Sequence, residues 1–238
     1  MAPRRTTLFF TALALALSLV ASASAQANAP RAVQPPASAA GPTPPAAAED
    51  VVLPTRVAAA IRRTETALDN AEEHVDEADY AKALVSLRAV RANLGRADKA
   101  ARHQMNAVAD PNAETTPGPD SVIAVLTLDQ EAVVRVAGLF NGNTGTLVTD
   151  LSSTISTAQL TRDRLLNAVI ALDPEGAGAD YADGMPDTLD GYTDEAANIT
   201  EALADDKLSA GGKGALNAAL ARSNATLAKM NSAFGGGE

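Results

Sequence analysis

The chain has 238 residues and a formal net charge of −10, with 29 acidic against 19 basic side chains. It contains no Cys and no Trp, and aromatic residues make up 3%. So acidic a chain lacks the general basic face that a phosphate backbone needs, which excludes nucleic acid as the default partner. The missing Cys excludes thiol catalysis and disulfides, and the scarce aromatics leave sugar platforms and base-stacking surfaces poorly supplied.

The chain begins with the charged stretch Met1-Ala-Pro-Arg-Arg, continues with an apolar run from Leu8 to Ala21, and reaches small residues at Ala23, Ala25 and Ala27. That order predicts a secretory signal peptide over 1–27. The apolar run is shorter than the ~20 residues of a membrane span, so no span is expected after cleavage and the protein is expected outside the cytoplasm. Loss of Arg4 and Arg5 with the signal takes the charge from −10 to −12. Residues 28–53 are rich in Ala and Pro, which predicts a disordered linker with little to bury.

From Pro54 the spacing changes. Val57, Ile61, Thr64, Leu68, Ala71 and Val75 fall at gaps of four and three, as do Leu84, Leu87, Val90, Leu94, Ala97 and Ala101. Such gaps line one stripe of a helix, so residues 54–109 read as a helical hairpin. Asp79 is placed to cap its second helix. Tyr80, Ala83 and Leu87 after the turn resemble the entry to the second helix of a tetratricopeptide repeat. An array of that family repeats every ~34 residues, but one period after Tyr80 stands Glu114, beside prolines. The first helix offers Ala67, Asn70, Ala71 and His74 where the family carries a large aromatic and a Leu-Gly pair. The resemblance therefore implies one antiparallel hairpin and no grooved array.

Charge is segregated along this hairpin. Glu72, Glu73, Asp76, Glu77 and Asp79 cluster near the turn, while Arg56, Arg62, Arg63, Arg96, Lys99 and Arg102 converge on the open end. Like charges crowded at one end repel unless something anionic sits against them. Either something anionic covers this end or the charges form a solvated face, and for the first case two occupants are expected. One is the acidic second half of the same chain, where residues 120–234 hold seven basic and sixteen acidic side chains. The other is an external anionic partner.

Residues 110–119 read as a loop, punctuated by Pro111, Pro117 and Pro119. Residues 120–234 read as a four-helix region packed with the hairpin as one domain. Its stripes are Val122, Leu126, Asp129, Val133, Val136, Phe140; Leu151, Ile155, Ala158, Arg162, Leu165, Val169; Met185, Leu189, Tyr192, Ala196, Ile199, Leu203; and Leu216, Leu220, Ser223, Leu227, Met230, Phe234. These seams are those of coiled coils and up-and-down bundles. Val122 to Leu128 could pass for a buried strand, but no second strand is available to pair with it, and helix is expected. Breaks are expected at Asn141-Gly-Asn-Thr-Gly, at Asp173-Pro-Glu-Gly-Ala-Gly and at Ala210-Gly-Gly-Lys-Gly.

Three stretches invite a reading as chemistry. The acidic loop 173–195 offers Asp180, Asp183, Asp187 and Asp190 as ligands of a calcium-type ion. The EF-hand order fails there, since setting Gly184 or Gly191 at the invariant glycine puts Tyr181 or Thr188 at the second ligand position. His74 and His103 are each preceded three residues earlier by Ala, at Ala71 and Ala100. Neither belongs to the Glu-x-x-His pattern of di-iron bundles. Gly138 to Thr146 lacks the Lys of a phosphate loop, and no Ser stands in a Gly-x-Ser-x-Gly elbow.

In composition, the signal, the Ala/Pro spacer and the Ala-rich helices with Arg favoured over Lys resemble exported helical proteins of actinobacterial type; the resemblance implies no catalytic residue. The expected fold is all-α, an up-and-down bundle of about six helices with coiled-coil-like seams after a disordered leader. The expected function is that of a non-enzymatic exported protein acting through surface contacts, without cofactor. Its expected partner is another protein or an anionic polymer of the cell envelope, and its seams also allow a homodimer. The alternative is a metal-binding exported protein using the acidic loop.

Overall fold

Six long helices and one single turn account for almost all the described residues, which in this computed structural model are 53–106, 117–172, 178–182 and 184–234. The helices are α1 Thr55–Asp76, α2 Tyr80–Met105, α3 Pro117–Gly138, α4 Gly145–Ile170, α5 Ala179–Ala182, α6 Met185–Leu203 and α7 Ala210–Phe234. Among the described residues there is no strand, and Val122 to Leu128 lie inside α3. The signal peptide and linker expected over 1–52 lie outside the described residues.

The α1–α2 turn forms from local hydrogen bonds. The Asp79 amide donates to the His74 carbonyl at 2.8 Å and the Ala78 amide to Val75 at 3.0 Å. This is the double closure of a Schellman end. Its pivot is Ala78, at φ 58°, where glycine is the usual residue. Asp79 then caps α2, accepting from the Lys82 amide at 3.2 Å, as its position predicts.

Two helix starts differ from the sequence reading. α3 begins at Pro117, inside the expected 110–119 loop, because Pro117 and Pro119 occupy a first turn whose amides have no helical partner. α7 begins at Ala210 and takes in the glycines read as a break. Ser209 supplies the cap, its hydroxyl accepting from the Gly212 amide at 3.2 Å. At Gly212 a Cβ would stand 2.9 Å from the Leu208 side chain, so the absent side chain is what lets the chain fold back tightly there.

The helices pack as three antiparallel hairpins, α1/α2, α3/α4 and α6/α7, and the middle one is shared. α3 packs on α4 and α6, and α7 packs on α4 and α6, which closes a four-helix ring. On the opposite side α2 packs on both α3 and α4, while α1 packs chiefly on α2 with its flank on α3. All described residues fall in one compact unit. Its core runs from Val57 and Leu68 through Leu87, Leu94, Leu126 and Phe140 to Leu165, Met185, Ile199 and Met230.

Candidate functional site

A cavity opens between the first residues of α1 and the last residues of α2. Alanines at 59, 60 and 100 form the floor, because small side chains on the facing helices leave room between them. The result is a cavity of about 620 Å³ lined by Thr55, Arg56, Arg63, Arg96, Lys99 and Arg102, with His103 and Asn106 at its edge. Five of the six cations expected at the open end therefore meet in one place. The sixth, Arg62, lines an adjoining cavity of about 450 Å³ together with Arg63, Asn70 and Asn93.

The cations are not equivalent. Arg102 is held by Asp98, which accepts from it at 3.0 and 2.7 Å, and this pairing raises the Arg102 pKa. Arg96 donates to the Asn93 side-chain oxygen at 2.5 Å. Asn93 donates in turn to the Arg63 carbonyl at 3.2 Å, so the amide that holds Arg96 is itself anchored to α1. Arg56, Arg62, Arg63 and Lys99 form no ion pair or side-chain hydrogen bond among the described residues. All four are exposed.

The acidic second half does not neutralise this end among the described residues. The ion pairs that join the halves lie elsewhere. Arg91 reaches Asp150 at 2.7 Å. Arg135 of α3 reaches Glu72 and Asp69, each at 2.6 Å, near the hairpin turn. Hydrogen bonding from Glu72, then Asp69 and Glu131, outweighs burial and pushes the Arg135 pKa up. The reason is topological: α1 gives only its flank to α3, so its outer arginines face away from the acidic helices.

The acidic loop gathers no site. Asp180 lies in α5 and Asp187 and Asp190 on α6, all three exposed, while Asp183 lies outside the described residues. Among the described residues no three His, Asp or Glu side chains are placed to hold a metal ion. His74 stands 3.8 Å from Glu77, one turn on along α1.

A second polar cluster went unread in the sequence, and it sits inside the four-helix ring. Arg162 of α4 and Glu195 of α6 are both fully buried. The guanidinium donates to the two Glu195 oxygens at 2.8 and 3.0 Å and to the Thr226 hydroxyl at 2.9 Å. It also lies 4.8 Å from the centre of the Tyr192 ring, within cation–π reach. The Ser223 hydroxyl donates to Glu195, and Gln159 donates to the Ala219 carbonyl at 2.9 Å. Burial alone would lower the Arg162 pKa, but the charge and hydrogen bonding of Glu195, with Tyr192 and Asp163, together outweigh it and the net shift is upward. Nearby Asp129 of α3 accepts from Thr161 at 2.7 Å. Burial pushes its carboxyl well above the usual range, despite Thr161 and Arg162 acting the other way. The cluster is sealed: Arg162, Glu195, Asp129 and Ser223 are each 0% exposed. It ties α4, α6 and α7 together and offers no face to a solute.

The sequence carried a signal for this cluster. Asp129, Arg162, Tyr192 and Ser223 all stand on predicted apolar stripes, one on each helix of the ring. Comparison with protein-family models, with curated proteins and with solved structures gives no match.

Proposed function

We propose that this is a non-enzymatic exported protein that holds an anionic partner at the basic end of its α1/α2 hairpin. The observation that carries the reading is the cavity between α1 and α2, where Arg56, Arg63, Arg96 and Lys99 converge and, among the described residues, only Arg96 is bonded to a side chain, an uncharged one. In a chain of net charge −10, four cations gathered with no carboxylate paired to them among the described residues oppose the stability of the free protein. An anion seated among them relieves that repulsion. Export is supported by the order of residues 1–27, and action without catalysis by the absence of Cys and of any Ser–His elbow.

Retention on phosphocellulose at neutral pH tests this reading. The protein should be held at low salt and released as salt rises, despite its net negative charge. R63Q/K99Q should flow through, whereas R164Q/K213Q, which removes the same charge from exposed positions on α4 and α7, should still be held. Passage of the unaltered protein through the column at low salt would contradict the proposal.

A further inference from the structure

The two cavities on the hairpin adjoin, since Ala59 and Arg63 line both. Side by side they mark out a trough along α1 and α2. On α1 its lining runs from Thr55 to Asn70, ~22 Å at the helical rise. The floor is made of small residues, Ala59, Ala67, Ala89 and Ala100 among them. From the open end inward come Arg56 and Lys99, then Arg96, then Arg62 and Arg63; on α1 these cations span ~10 Å at the helical rise. Asn93, anchored to the Arg63 carbonyl of α1, holds the Arg96 guanidinium. Beyond Asn70 the sign reverses, with Glu72, Glu73, Asp76 and Glu77.

A compact anion such as phosphate would meet one or two of these side chains and leave the others repelling one another. A chain of anions meets them all. We infer that the trough is built for a linear polyanion, a polymer with an anionic group at each repeat, lying along α1/α2 from the Arg56–Lys99 end and stopped at the acidic turn. This rests on the anion-binding reading above and goes beyond it in naming the partner's form. The scarcity of aromatics leaves no platform for stacked bases or sugars, so the backbone charge is what the trough recognises.

Calorimetric titration of the whole protein with long-chain polyphosphate and with inorganic phosphate, at equal ionic strength, separates the two ideas. The polymer should bind about tenfold or more tightly per phosphate group, because linked anions engage successive cations at high effective concentration. Raising salt should release roughly four ions per complex, ~0.7–0.9 for each of five cations. R63Q/K99Q should weaken polymer binding about tenfold or more, and R164Q/K213Q by less than about twofold, with circular dichroism confirming that both variants are folded. If inorganic phosphate binds as well per group as the polymer, the linear reading falls while the anion site stands. If neither binds, both fall. Equal losses in the two variants, or a preference for vesicles containing phosphatidylglycerol over polyphosphate, would also overturn the inference. Tighter binding of single-stranded DNA than of polyphosphate would overturn it too, since it would put base contacts in a trough that has no stacking platform.

Discussion

At the scale of single residues the most consequential feature is a buried ion pair. Arg162 and Glu195 have left water completely, and only good geometry and further hydrogen bonds make such a pair tolerable. Removing one partner leaves the other charge stranded. E195A should therefore lower stability by about 3–5 kcal/mol, and R162M by a similar amount. The double variant R162M/E195M should lose much less than the sum, since an apolar pair of similar bulk replaces both charges. Urea unfolding of the three variants measures this coupling, and additive losses would show that the two side chains act independently. Asp129 gives a pH dependence of definite sign. Its folded pKa is raised by burial, so in the pH range above ~3.9 the folded protein keeps a proton that the unfolded chain has released. Stability is unaffected below that range and falls as pH rises towards the folded value, by about 1.4 kcal/mol per unit. D129N keeps the oxygen that accepts from Thr161 and removes the titration. It should match the unaltered protein near pH 4 and exceed it at pH 7, as melting temperatures across that range would show.

At the scale of elements, helix stripes were legible because burial on one face imposes gaps of three and four wherever a helix packs. The stripes were least well read on α6 and α7. On α6 the buried set is Met185, Thr188, Tyr192, Glu195 and Ile199, with Leu189 and Ala196 only half-buried. On α7 Ala219 and Thr226 go inside, while Leu220 and Leu227 sit at the flank. In both helices the choice between adjacent positions is made by Arg162, whose hydrogen bonds draw Glu195 and Thr226 inward. No single helix contains that information, since it depends on which helices face one another. The glycines divide in the same way. At Gly191 a Cβ would stand 2.7 Å from the Gln130 side chain, which donates to the Thr188 carbonyl at 2.8 Å. G191A should break that bond and cost about 1–3 kcal/mol. Gly95, inside α2, has open space where a Cβ would go, and G95A should gain about 0.5–1 kcal/mol. Melting curves of the two variants should move in opposite directions.

At the scale of the whole molecule the basic end was legible from charge alone, because antiparallel helices bring the first residues of one beside the last of the next. What covers it was not legible. An acidic second half suggested neutralisation within the chain. Instead the shared α3/α4 hairpin meets α2 broadly and α1 only at its flank, and among the described residues the acidic half sends Arg135 to the acidic turn and no acid to the basic end. The open arginines are thus a consequence of how three hairpins stack. No helix among the described residues is long and apolar enough to cross a membrane, and the account of function rests on what meets this one end.

Backbone amide shifts in a ¹H–¹⁵N spectrum of the protein, followed as phosphate is added at constant ionic strength, test that account most directly. It predicts progressive shifts confined to the start of α1 and the end of α2, centred on Arg56, Arg63, Arg96 and Lys99, and absent in R63Q/K99Q. Shifts scattered over the surface, shifts centred on α6 and α7, or no shifts at all would contradict it.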